Sequence, residues 1–262
     1  MNYKRFLLCI LTTGYALASS ASFAFQELQP PPEYKQVSKE LVETLEKIHY
    51  NRPRIDDTIS AKAFDYYVKA LDPSKSFFLQ SDIDELSQYK YELDDALKNG
   101  DPQIVYDIYN LYLKRLEKRL TDLQEKVPEL VRGFDYDVEE SFNTDPETQA
   151  WAKNLAELDD YWRKRLKIRA LTLQLNGESE DKIISTIRRR YQNQLRHVDQ
   201  TNAIDVFQTF ANSVTSFLEP HSSYFAPRAS ETFNINMILS LEGIGAVLQM
   251  DDDYTKVVRL VP

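Results

Sequence analysis

From Tyr34 to Leu218 apolar side chains recur every three or four residues, and glycine almost never interrupts them. That spacing is the α-helical period. Six glycines in 262 residues leave little room for a loop-rich fold, and 16 tyrosines and 13 phenylalanines supply bulk for helix–helix packing. Val37, Leu41, Leu45 and Ile48 form the first stripe. Ser81 with Asp84 is a capping-box variant opening another helix, which Gly100 closes. Asp101–Pro102 supplies an N-cap and first-turn proline for a long helix carrying Ile104, Ile108, Leu111, Leu116, Leu120, Leu123 and Val127 on one face. Proline at 128 is expected to end it. Residues 130–147 are acidic and aperiodic and read as an internal loop. The helical pattern resumes with Trp151, Leu155, Leu158, Trp162 and Leu166, breaks at Gly177, and continues with Ile183, Ile187, Tyr191 and Leu195. Ile204, Phe207, Phe210, Ala211, Val214 and Phe217 carry the last stripe. About seven helices are expected over residues 34–218.

Beyond Phe233 the period shortens to two. "GIGAVLQM" and "YTKVVRLV", joined by Asp251–Asp253, read as a β-hairpin. The fold class is therefore mainly α, a multi-helix domain over residues 25–238 followed by two strands within 239–262.

The first 24 residues read as an export signal. Lys4 and Arg5 precede an apolar run from Phe6 to about Ala18, and Ser22 and Ala24 fit a small-x-small cleavage site before Phe25. The run falls short of the ~20 apolar residues a membrane span needs, so no span is expected after cleavage. Cleavage removes two of the 32 basic residues and none of the 41 acidic ones, moving the net charge from −9 to about −11. Such a surface argues against nucleic acid as a partner. Cys9, the one cysteine, lies in the signal. An exported chain without disulfides suits a bacterial periplasm and must be stabilised by packing.

Few residues suggest chemistry. Glu219, His221, Ser222 and Ser223 have the types of a catalytic triad, but triad members converge from separate segments, and no Gly-x-Ser-x-Gly occurs. His49, His197 and His221 lack metal-ligand spacing, so neither metal nor cofactor is expected. Arg188 to Arg190 project from the solvated side of a helix and are expected to pair with neighbouring acidic helices. "LDPSKSFF" at 71–78 is echoed by "LEPHSSYF" at 218–225, and both read as helix-stop turns with aromatics pinning the exiting chain. The glycine pair Gly243 and Gly245 leads into a strand. It suits either a backbone nest for a carboxylate, with an extended peptide pairing on the strand behind it, or a simple β-bulge.

The stretch "ETFNINMILSLEGIGAVLQMDDDYT" resembles the tail-specific proteases, the carboxyl-terminal processing serine peptidases of bacteria. "LEPHSSYFAP" is similar to the segment before that family's PDZ domain, with Glu219 where the family carries aspartate. "AKAFDYYVKALDPSKSFFLQSDIDEL", "YDIYNLYLKRLEKR" and "RRRYQNQLRHVDQTNAIDVFQTFANS" resemble its N-terminal helical domain. The resemblance implies a helical domain, a PDZ domain beginning near residue 239, and a protease core with a Ser/Lys dyad. It also implies that Leu241, Glu242, Gly243, Ile244, Gly245, Ala246 and Val247 form the carboxylate-binding loop and first peptide-pairing strand. The implied partners are C-terminal tails of periplasmic proteins, with an adaptor protein as a further candidate. By the same resemblance the sequence stops inside the PDZ domain, so no residue here takes a catalytic role. The alternative is a shortened, non-catalytic helical scaffold or adaptor of the periplasm, against which two unpaired strand edges count.

Overall fold

The computed structural model describes residues 26–238, 246–251 and 254–260. Nine α-helices and two β-strands lie among them: α1 (Tyr34–Glu43), α2 (Asp57–Leu71), α3 (Gln80–Leu86), α4 (Leu93–Asn99), α5 (Gln103–Gly133), α6 (Leu155–Leu175), α7 (Glu180–Asp199), α8 (Ala203–Leu218), α9 (Pro227–Ile238), β1 (Ala246–Asp251) and β2 (Tyr254–Leu260). A π-helical turn, Thr44–Ile48, extends α1, and a short 3₁₀ turn, Ser87–Tyr89, follows α3. The protein is mainly α, with an antiparallel strand pair at its C-terminal end.

The buried apolar residues form two clusters. Leu41, Tyr67, Leu97, Tyr106, Phe207 and Phe210 represent the first, which joins α1, α2, α4, the first half of α5, and α8. Leu116, Leu120, Leu123, Trp162, Leu166 and Ile187 represent the second, between the latter half of α5, α6 and α7. One 31-residue helix, α5, serves both. At 1.5 Å per residue it spans about 46 Å, so its two halves meet different partners.

The sequence periodicity anticipates most of these faces, and three departures have physical causes. Helix α5 runs through Pro128 to Gly133. The proline forfeits its bond to the Gln124 carbonyl and crowds that turn, at a cost of about 3 kcal/mol. Val127 and Val131, one helical turn apart and both buried in the second core, hold the helix together across it. Helix α3 begins one residue before Ser81, and Asp82 rather than Asp84 accepts the Leu79 N–H at 2.8 Å. Asp82 is also gripped through both oxygens by Arg115 of α5, which places that turn against the long helix. Helix α9 begins at Pro227 with no buried apolar stripe to announce it, since Phe233, Ile235 and Met237 are all exposed. The stripe ends Ile48 and Leu155 are likewise exposed, lying beyond the reach of the cores.

Side chains cap α2, α6 and α8, whereas α5 starts after Pro102 without the Asp101 cap expected from sequence. Asp56 accepts from the Thr58 and Ile59 N–H groups at the start of α2, and Asn154 caps α6. Asn202 and Asp205 form a reciprocal capping box on α8. Gly100 ends α4 at φ 72°, and a Cβ there would stand 2.5 Å from the Lys35 carbonyl oxygen, so α1 and α4 require glycine at their closest approach.

The acidic segment after α5 has no regular secondary structure, but ion pairs tie it to α6. Glu140 binds Arg163 and Lys167, and those hydrogen bonds draw its carboxyl down to about 2. A carboxyl acidified by folding adds stability above its unfolded value of 4.5 and loses it as the pH falls toward 2. The Tm gap between wild type and Glu140→Gln should therefore stay constant above pH 5 and close progressively between about pH 4.5 and pH 2. A gap unchanged at pH 2 would contradict this pairing.

Candidate functional site

The two echoed turns both stop a helix, and in both the acid after the leucine organises the turn. In the first, Asp72 is 1% exposed. Its Oδ1 accepts from the Ser76 N–H and hydroxyl, and its Oδ2 accepts from the Phe77 and Phe78 N–H groups, at 2.8–3.3 Å. Burial outweighs these bonds and raises its carboxyl above the ordinary range. Phe77 and Phe78 plunge into the two cores, and the Trp162 indole N–H donates to the Ser76 carbonyl at 2.7 Å.

In the second turn, Glu219 Oε2 accepts from the His221 N–H at 2.9 Å and from the Ser222 hydroxyl at 3.0 Å. Partial burial opposes ionisation of Glu219, but these bonds and the nearby His221 and His49 hold its carboxyl below the usual range. The exiting chain is clamped by α8. Asn212 exchanges two hydrogen bonds with the backbone of Tyr224, and Gln208 accepts the Ala226 N–H. Tyr224 packs edge-on against Phe207, whereas Phe225 stays outside and stacks on Phe233 of α9. The pinning expected of both aromatics thus holds for one of them here. Asn212 and Gln208 escape a reading of apolar spacing because they sit on the polar flank of an apolar helix.

The structure adds a partner that adjacency in sequence concealed. His49 Nε2 lies 3.0 Å from Ser222 Oγ, across 173 positions of chain. Serine, histidine and glutamate are therefore together, yet their polarity opposes nucleophilic catalysis. The Asn51 N–H points at His49 Nδ1 at 3.2 Å, so Nδ1 accepts and Nε2 carries the proton. His49 consequently donates to Ser222, and Ser222 donates to Glu219. A catalytic histidine needs the reverse, an unprotonated Nε2 facing serine and a carboxylate receiving the Nδ1 proton. The chain of bonds is a latch between the end of the α1 segment and the turn leading into α9. His221 is exposed and contributes only its backbone N–H to the cluster. Ser223 is exposed as well.

Of the residues implied to bind a peptide tail, Leu241, Glu242, Gly243, Ile244 and Gly245 lie outside the described residues. Ala246 and Val247 open β1, paired antiparallel with Leu260 and Arg259 of β2. The register slips between Val247 and Leu248, leaving Val258 as the extra residue on β2. Leu248, Val257, Val258 and Leu260 remain exposed. Among the described residues no group of three or more His, Cys, Asp or Glu side chains could hold a metal ion, and no helix is long and apolar enough to cross a membrane.

Residues 41–228, from within α1 to the start of α9, match the family described as the tail specific protease N-terminal domain. The chain belongs to that family. It is also 36% identical over 234 residues to a protein named tail-specific protease from Haemophilus influenzae, a match covering 88% of this chain and 33% of the relative. The chain thus spans about a third of that relative's length. The tail-specific protease N-terminal domain includes both acid-organised turns and the His49–Ser222 latch, while β1 and β2 lie past its matched boundary. These turns are accordingly part of the domain's own framework, and the strands lie on its C-terminal side.

Proposed function

We propose that this chain is the N-terminal part of an exported serine endopeptidase that recognises apolar C-terminal tails of periplasmic proteins and degrades or processes them. The observation that carries this reading is the family match over 41–228 together with an antiparallel strand pair, Ala246–Asp251 with Tyr254–Leu260, on its C-terminal side. In this proposal residues 1–24 direct export, residues 25–238 form a helical platform, and residues 239–262 open a PDZ domain. Leu241 to Gly245 would present backbone N–H groups to the terminal carboxylate, and Ala246 and Val247 would pair with the tail by strand addition. The cleavage chemistry, a serine activated by a lysine whose pKa burial lowers, belongs to a protease core beyond the helical domain. The His49–Ser222–Glu219 latch supports that assignment, because its proton arrangement disarms the serine that best resembles a nucleophile within the domain.

Two measurements test the proposal together. The purified 262-residue chain should leave a peptide with an apolar free C-terminus intact, and cleavage by it would place the chemistry in the wrong part of the protein. A chimera of the Haemophilus influenzae relative, with its matching helical region replaced by residues 41–228 of this chain, should shorten that peptide and spare its C-terminal amide. A folded chimera that acts equally on both peptides would refute tail recognition.

A further inference from the structure

The cations of α6 divide into two sets. On one side Arg163, Lys164 and Lys167 are matched by Glu140 and Asp160. On the other side Arg165 and Arg169, one helical turn apart, face Arg190 of α7. Among the described residues none of these three makes an ion pair, and neither do Arg188 and Arg189, contrary to the pairing expected from sequence. Burial and then the charge of Arg190 lower the pKa of Arg169, Tyr191 opposes them, and Arg165 adds a smaller repulsion. In a chain with 41 acidic residues and a net charge of −9, carboxylates to neutralise these arginines are not scarce.

Arg165 is also positioned. Its guanidinium lies 4.8 Å from the centre of the Trp162 ring, and the Trp162 ring meets Tyr191 edge-on at 6.0 Å. Held over an aromatic face, a guanidinium keeps its N–H groups available to a planar acceptor such as a carboxylate. Beside it opens a cleft of about 330 Å³ lined by Phe77, Tyr112 and Trp162 and, on its polar side, by Ser74, Gln194 and Asp72, whose carboxylate is already engaged by the N–H groups of its own turn. Past Ser74 and Arg165 the surface continues into a second depression of about 160 Å³ beside Phe142 and Tyr161. A cationic fork between two depressions that each combine aromatic with polar lining matches an extended chain carrying a carboxylate beside aromatic side chains. An isolated small anion would leave both depressions empty.

We infer that the Arg165–Arg169–Arg190 face and the aromatic clefts flanking Arg165 form a docking site for an acidic, aromatic-containing peptide segment of a partner protein. The site is separate from the tail-binding strand proposed above, because it needs no free C-terminus.

The probe is acetyl-Glu-Phe-Glu-Leu-Glu-amide, whose amide end withholds the terminal carboxylate and so leaves the proposal for β1 untouched. Binding to the whole chain can be followed by calorimetry and by the fluorescence of its two tryptophans, Trp151 and Trp162. The acidic peptide should bind, and its Gln-substituted counterpart should bind at least about tenfold more weakly. The triple variant Arg165→Gln/Arg169→Gln/Arg190→Gln should lose affinity by at least about tenfold with an unchanged far-UV spectrum, whereas Arg188→Gln/Arg189→Gln should stay within about twofold. Equal binding of the neutral peptide, undiminished binding by the triple variant, or no binding of the acidic peptide would overturn the inference. So would competition by inorganic phosphate or phosphatidylglycerol vesicles at peptide-like concentrations, since the face would then be a general anion or membrane surface.

Discussion

Asp72→Ala should lower the stability of the helical domain by about 3–5 kcal/mol, because it strands three buried N–H donors at once. The Ser76, Phe77 and Phe78 N–H groups all end on this carboxylate, and the residue is buried. Relief of the cost of burying an ionised carboxylate offsets part of the loss, which favours the lower end of that range. For a domain of this size the Tm should fall by about 6–12 °C. Asp72→Asn should recover less than half of it, since an amide offers one acceptor oxygen where the turn uses two. Because burial raises the Asp72 carboxyl pKa, the folded state binds this proton more tightly than the unfolded state. Its contribution to stability therefore grows as pH falls through the raised value toward 3.8, opposite in sign to that of Glu140. A melting temperature within 2 °C of wild type, ~0.5 kcal/mol on the same scale, would show that water replaces the carboxylate.

Phe210→Ala should cost about 3–5 kcal/mol by opening a cavity where the first core is closest packed. Phe210 is fully buried, its ring 5.3 Å from Tyr67 and 6.3 Å from Phe207, and α8 packs along α2 at this level. Phe210→Leu should cost about 1–2 kcal/mol, because most of the volume is kept while two edge-to-face contacts are lost. Urea denaturation separates the two by the shift in midpoint at constant m-value. Equal costs for both would mean that the aromatic geometry, and not the volume, is what the core requires.

The helical faces could be read from spacing because burial rewards a stripe of apolar side chains whatever their partners. Leu116, Leu120, Leu123 and Val127 illustrate this on α5, and Phe207, Phe210 and Val214 on α8. Pro128 points to a helix end only as a local backbone penalty, which the long-range contacts of Val127 and Val131 outweigh. Helix α9 is the converse case: its apolar residues are exposed and leave no periodic signature in the sequence. At the candidate site the acids Asp72 and Glu219 stood out in the echoed motif. Their roles depend on bonds to groups up to six residues ahead, which composition does not encode. His49 was beyond reach altogether, since nothing local marks a histidine as the partner of a serine 173 positions away. The arginines of α6 and α7 could be counted but not sorted, because only packing reveals which cations meet an acid and which meet each other.

The length of α5 has a consequence for how this molecule can be divided. One wall of each core belongs to the same uninterrupted rod, so no boundary between residues 103 and 133 would release two self-sufficient halves. A cut between Leu113 and Leu116 would part the first core from Phe207, Phe210 and Val214 of α8, and the second from Phe77 and Leu79. A tilt imposed at either end of the rod reaches the opposite end as a displacement, in the manner of a lever rather than a hinge.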